Sequence, residues 1–219
     1  MTGYRDEFLE MCIEHHILRF GKFTLKSGRT SPYFFNAGLF NNGELLDRLS
    51  SAYARLIVEH FPCNFMLYGP AYKGIPLVAA TSMQLAQNHQ LHIPYAFNRK
   101  ETKDHGEGGK TVGAGLNGPV IIVDDVITAG TSVHESIEII SASGAEPCAV
   151  VIALDRQETV DGESLSAVQK IERQYGIPVL SILKLEDLIG YLKTAPSFKK
   201  YHREIRKYRE RYGSTPSPD

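Results

Sequence analysis

Residues 120 to 132 read VIIVDDVITAGTS: four apolar β-formers, two adjacent carboxylates, two more apolar residues, then five small residues rich in hydroxyls. Val120 to Val123 predict a short buried strand that delivers Asp124 and Asp125 to its carboxyl end, where open α/β sheets bind ligands. Behind them, Thr128, Ala129, Gly130, Thr131 and Ser132 carry so little side-chain bulk that successive backbone N–H groups can converge on an anion. A helix follows directly: Val133, Ile137 and Ile140 form an apolar stripe, and Ser132 and Glu135 have capping-box spacing. The small-residue turn therefore sits at a helix N-terminus, which favours phosphate. Carboxylates cannot grip the phosphate itself. They suit ribose hydroxyls or water on a magnesium ion, so the stretch has the chemistry of a site for a phosphorylated sugar.

Two nucleotide motifs are excluded. No G-x-x-x-x-G-K-[ST] string occurs. Gly113, Gly115 and Gly118 satisfy G-x-G-x-x-G, but they precede a strand instead of following one and open no helix, so they read as the flexible end of a loop.

Short apolar runs alternate with helical segments from 64 to 183: FMLY, a helix from about Gly74, PYAF, the PVIIV strand and its helix, CAVVIAL, a helix around Leu165 to Tyr175, and PVLSIL. That cadence predicts an α/β fold, a five-stranded parallel sheet flanked by helices. The first 60 residues differ in texture: a helix through Leu9 to Ile17, a small antiparallel unit over FGKFTLKSGRTSPYFFNAG, and a helix lined by Leu45, Leu49, Tyr53 and Leu56. We divide the chain into an N-terminal hood lobe (1–62), a parallel core (63–192) and a C-terminal helix with a disordered STPSPD tail (193–219), all in one compact domain. Residues 99–118, RKETKDHGEGGKTVGAGLNG, break the cadence, with six glycines and no apolar periodicity. Such a stretch inside a compact domain predicts a mobile lid, and Arg99, Lys100, Lys103, His105 and Lys110 suit it to closing over a diphosphate.

At 219 residues the chain is long enough for one α/β domain with an appended lobe. Its 24 basic and 25 acidic residues offer no general attraction to nucleic acid or an anionic membrane. Cys12, Cys63 and Cys148 are widely spaced among apolar residues, which fits reduced thiols and a cytoplasmic location. Neither a secretory leader nor a membrane span is expected.

All thirteen positions of 120–132 fit the phosphoribosyl-diphosphate loop of the type I phosphoribosyltransferases, which the chain resembles. Within that superfamily FTLKSGRTSPYFFN (Phe23 to Asn36), GPAYKGIP (Gly69 to Pro76) and FNRKETKDHGEGG (Phe97 to Gly109) are similar to the orotate phosphoribosyltransferases. The resemblance implies transfer of ribose 5-phosphate from phosphoribosyl diphosphate to N1 of orotate, giving orotidine 5′-monophosphate and diphosphate in pyrimidine biosynthesis. It implies that Lys26, Tyr72, Lys73, Arg99, Lys100, Lys103, His105, Asp124, Asp125, Val126, Ile127, Thr128, Ala129, Gly130, Thr131 and Ser132 bind the donor. Phe34, Phe35, Thr128 and Arg156 would bind orotate, with Lys103, Asp124 and Asp125 catalytic. It also implies Mg²⁺ carried by the diphosphate, without direct protein ligands, and a homodimer with shared active sites.

The residues themselves support part of this. Arg156 follows CAVVIALD at a strand's carboxyl end and can offer a fork to a carboxylate; the plain alternative is a surface arginine paired with Asp155. Phe34 and Phe35 are adjacent, so in a strand they face opposite sides and at most one ring stacks on a planar base. Two other readings share the donor loop: a transferase for another base, and a donor-sensing regulator that binds nucleic acid through FKKYHREIRKYRERYG. In that segment Tyr201, Ile205, Tyr208 and Tyr212 fall on one helix face, which predicts a helix packed on the body and no nucleic-acid partner.

Overall fold

Strand β6 (Pro119–Val123) lies at the heart of a sheet in the computed structural model, which describes residues 3–25, 27–61, 64–103, 109–160, 163–195 and 198–214. Its neighbours are β3 (Met66–Gly69) and β7 (Glu146–Asp155), both parallel to it, with Tyr68 beside Ile122 and Val123 beside Val151. Outside them run β4 (Tyr95–Lys103), parallel to β3, and β8 (Val179–Lys184), parallel to β7. These are the five parallel strands expected. A sixth, β5 (Gly109–Gly113), pairs antiparallel with β4 at the edge, giving the order β5-β4-β3-β6-β7-β8.

That edge strand adds regular structure to 99–118, the segment read as a mobile lid outside the strand and helix cadence. Its described parts are two arms of one antiparallel ladder, with Asn98 opposite Thr111 and Lys103 opposite Gly109. Polar strands with a solvated face show no apolar periodicity, so the pattern that marks buried strands misses them. Gly113, taken as part of a flexible loop end, belongs to β5. Residues 104–108, and the side chains of 101–103, lie outside the described residues.

Alternation along β6 divides the core. Ile121 and Val123 face one layer, with α2 (Gly43–His60) and α3 (Gly74–His89); Val120 and Ile122 face the other, with α4 (Thr131–Ala142) and α5 (Ala167–Tyr175). The α2 stripe of Leu45, Leu49, Tyr53 and Leu56 is buried against the sheet layer, so this helix of the first 62 residues shares the main core. Helix α1 (Tyr4–Glu14) and the antiparallel pair β1 (Leu18–Thr24) and β2 (Thr30–Phe35) complete the N-terminal part. Gly176 closes α5 in a left-handed conformation, as its position before Pro178 predicts.

The chain ends in α6 (Leu185–Thr194) and α7 (Lys199–Tyr212). Ile205 and Tyr208 of α7 are buried and Tyr201 and Tyr212 half-buried, the packed face expected from their spacing. Ser214, assigned to the disordered tail, donates its N–H to the Gln157 carbonyl at 2.9 Å; the rest of that tail lies outside the described residues. Cys12 and Cys148 are free thiols with pKa values raised first by burial; Cys63 lies outside the described residues. Among the described residues no helix is long and apolar enough to cross a membrane.

Candidate active site

Parallel register brings three turns to one end of the sheet: 70–73 after β3, 124–130 after β6 and 156–158 after β7. Asp124 and Asp125 continue the β6 ladder, with Asp124 N–H donating to the Val151 carbonyl at 3.0 Å and Ala153 N–H to the Asp125 carbonyl at 2.8 Å. The two side chains then part. Asp124 Oδ1 accepts from the Asp125 N–H at 2.9 Å, and its Oδ2 accepts from Ser132 Oγ at 2.8 Å. The Asp124 backbone carbonyl accepts from the buried Tyr53 hydroxyl at 2.7 Å, which ties the turn to α2. Burial first, and the neighbouring Asp125 charge second, push the Asp124 carboxyl up to about 6, partly offset by the Ser132 bond. Asp125 Oδ2 lies 2.5 Å from Lys73 Nζ.

Ser132 therefore bonds back to Asp124 instead of capping α4, against the capping-box expectation. The N-cap is Gly130, at φ 81°, and no side chain supplies a cap. That left-handed conformation, with Ile171 Cδ1 3.2 Å from where a Cβ would sit, accounts for glycine here. With Thr128, Ala129 and Thr131 exposed and Ile127 buried, the helix start keeps its dipole and uncapped N–H groups for an anion.

The 70–73 turn is held by a contact the sequence did not announce. Asn98, buried within β4, accepts the Ala71 N–H on its Oδ1 at 2.6 Å. The Ala71–Tyr72 peptide is cis. Beneath it β3 and α3 approach so closely that a Cβ on Gly69 would lie 2.2 Å from the Gly74 carbonyl oxygen. Lys73 thereby reaches Asp125, and both line a cavity of about 160 Å³ walled by Phe40, Leu49, Leu77 and Ala153. Tyr72 is 70% exposed.

Arg156 is not the surface arginine paired with Asp155. Its guanidinium Nη2 lies 2.6 Å from Glu158 Oε1, both side chains are largely buried, and its carbon sits 4.6 Å from the centre of the Tyr33 ring. Asp155 instead accepts the Gln157 N–H at 2.8 Å. In β2, Phe35 is buried in the core, as strand alternation requires of one of the two rings, while Phe34 is half-buried and stacked on Phe23 under Arg19. Arg99 is half-buried and Lys100 exposed on β4; Lys26, His105 and the Lys103 side chain lie outside the described residues.

Tyr53, Asn98, Tyr33 and Glu158 were missed as contributors to the site. Tyr53 reads as one more member of a core stripe, and only its hydroxyl, buried at the end of β6, distinguishes it. Asn98 carried a weak signal, an amide inside a strand where amides are depleted.

A family model described as "Phosphoribosyl transferase domain" matches residues 41–179. The chain is 57% identical over 213 residues to an orotate phosphoribosyltransferase of Marinobacter nauticus and 53% identical over 213 residues to one of Pseudomonas aeruginosa, covering 97% of this chain and 100% of each relative. The crystal structure of orotate phosphoribosyltransferase from Francisella tularensis superposes with a TM-score of 0.87 at 43% identity, covering 95% of this chain and 100% of that one. Full-length similarity at this level, together with the matching domain, shows the family: the chain belongs to the orotate phosphoribosyltransferases, pentosyltransferases of pyrimidine biosynthesis.

Proposed function

We propose that the crevice at the carboxyl ends of β3, β6 and β7 binds phosphoribosyl diphosphate and orotate and passes ribose 5-phosphate to N1 of orotate. The carrying observation is the uncapped α4 N-terminus directly behind a buried aspartate pair. The 128–132 turn takes the 5-phosphate with its N–H groups and hydroxyls. Asp124 and Asp125 take the ribose hydroxyls and stabilise the cationic character that develops on the ring as diphosphate leaves. Lys73 and the 71–73 turn, with Lys26, Arg99, Lys100, Lys103 and His105, face the diphosphate and neutralise charge on the leaving oxygens. Thr128 and Arg156 receive orotate, Arg156 through its carboxylate, with Phe34 and Phe35 in the acceptor wall. Attack comes from the face opposite the leaving group, so the anomeric configuration inverts. Closure of the 99–118 arm excludes water, which would otherwise turn transfer into hydrolysis.

Among the described residues no group of three or more His, Cys, Asp or Glu stands together as a metal cage. The aspartate pair fits a Mg²⁺ ion that arrives on the diphosphate and keeps most of its waters, the usual habit of this ion. When bound it supplies charge neutralisation at the phosphates. In the free site Lys73 partners Asp125, and donor binding exchanges that partner for the diphosphate.

The working unit is a homodimer in the cytosol, in which one subunit's arm reaches its partner's site. Support comes from Tyr72 and Met83, the large apolar side chains that lie open among the described residues, beside and on α3. Lys103→Ala is expected to lower kcat far more than it raises the donor KM; an equal loss in both would count against a role in the transition state. Mixing that chain with an Asp124→Asn, Asp125→Asn chain tests sharing: activity recovers in the mixed dimer if sites are built from two chains, and stays lost if each is self-contained.

A further inference from the structure

Glu158 has no role in the reaction as described, yet more of the molecule holds it than holds Arg156. Its Oε1 accepts from Arg156 Nη2 at 2.6 Å and from the Tyr33 hydroxyl at 2.9 Å, and its side chain is 12% exposed. Tyr33 is fully buried. The backbone around Glu158 is pinned to the end of α7: Glu158 bridges antiparallel to Gly213, Thr159 N–H donates to the Tyr212 carbonyl at 2.8 Å, and Ser214 N–H donates to the Gln157 carbonyl. Arg29 clasps the same junction, donating from Nη1 to the Thr159 carbonyl at 2.8 Å with its guanidinium carbon 4.8 Å from the centre of the Tyr212 ring. Tyr208 of α7 meets Tyr33 edge-on, ring centres 6.3 Å apart, with its hydroxyl buried.

Arg156 gains direction from this. Its hydrogen bonds within the protein, to Glu158 and a long one of 3.5 Å to Ser31 Oγ, both leave from Nη2. Nε and Nη1 have no partner among the described residues, although a guanidinium carries donors on all three nitrogens. An arginine anchored at one nitrogen, with its face against a buried aromatic ring, has lost most of its rotamer freedom before any ligand arrives, and preorganised donors bind carboxylate at lower entropic cost.

We infer that Glu158, fixed by Tyr33 and by helix α7, is the positioning residue of the acceptor site: it holds Arg156 by Nη2 and leaves Nε and Nη1 for the carboxylate of the acceptor. The C-terminal helix thereby sets acceptor affinity. The inference rests on the reading of Arg156 as the group that receives orotate.

Steady-state kinetics on the full chain, varying orotate and donor separately, tests both and keeps them apart. Arg156→Ala should raise the orotate KM and spare the donor KM; an unchanged orotate KM overturns the reading of Arg156 and the inference with it. Glu158→Ala should raise the orotate KM by about ten- to a hundredfold, the span of a hydrogen bond to a charged group, with the donor KM unmoved. In the Arg156→Ala background it should add nothing. Tyr33→Phe, which deletes only the hydroxyl that holds Glu158, should raise the orotate KM about fivefold, and keeps the test open if Glu158→Ala does not fold. Glu158→Gln retains an acceptor oxygen and should rescue most of the loss. If Glu158→Ala and Tyr33→Phe leave the orotate KM alone, or if the Glu158 loss adds in full to that of Arg156→Ala, the inference falls while the reading of Arg156 stands.

Discussion

Asp124 shows what the site costs the fold. Its carboxyl titrates at about 6 in the folded chain against an ordinary value of 3.8, so the folded state holds the extra proton between those values. Stability is therefore greatest below the lower value and declines as pH rises through the higher one. Asp124→Asn removes that burden; above pH 6 thermal or urea unfolding should find it more stable, on the order of 2 kcal/mol, an advantage that vanishes toward pH 4. The same substitution should lower turnover on the order of a hundredfold or more, because it removes the charge that we propose stabilises the ribose cation. In the parent, kcat/KM for the donor should fall on the acid side near pH 6. Ser132→Ala deletes a bond that stabilises the ionised carboxylate, so this limb should move to higher pH; an unmoved limb would assign the titration to another group. Glycine tolerance tests the backbone at the same scale. Gly69→Ala should destabilise by about 3 kcal/mol and weaken donor binding, because its Cβ meets the Gly74 carbonyl, whereas Gly115→Ala, with open space around it, should do neither.

At the scale of elements, legibility followed burial. The runs 66–69, 119–123, 146–155 and 179–184 are strands buried on both faces, so each is a continuous apolar string bounded by turn residues, and the sequence locates them to within a few positions. The arm formed by residues 99–103 of β4 and by β5 is a ladder rich in charged and glycine residues, and no periodicity betrays it, whereas the apolar start of β4 was legible. The same contrast holds in the site. Asp124, Asp125 and the 128–132 turn were legible because the loop is contiguous. Tyr53, Asn98 and Glu158 are bonded to partners 71, 27 and 125 residues away, contacts set by packing that no local pattern encodes. Ser132 was legible as a polar residue of the loop, but not its choice between Glu135 and Asp124, which depends on where the β6 terminus lies relative to α4.

Across the whole molecule, one side of the sheet carries the N-terminal helices and the C-terminal pair, and the other carries α4 and α5. The donor turn therefore stands between a helix it starts, α4, and a helix that holds it from behind, α2 through Tyr53. Arg156 is joined to the last described helix through Glu158, which bridges to Gly213, and through Tyr33, which meets Tyr208. Ile205, fully buried at the centre of α7, joins that helix to the main core, and Ile205→Ala should cost about 2–5 kcal/mol in urea unfolding. All of this geometry serves one claim, that the crevice joins a phosphoribosyl donor to an acidic pyrimidine. The direct measurement is the loss of orotate absorbance when the purified chain meets orotate, phosphoribosyl diphosphate and Mg²⁺, with adenine, guanine, hypoxanthine and uracil as parallel acceptors. Rapid, Mg²⁺-dependent consumption of orotate alone is the predicted result; turnover of another base in its place, or donor binding with no transfer to any base, would contradict it.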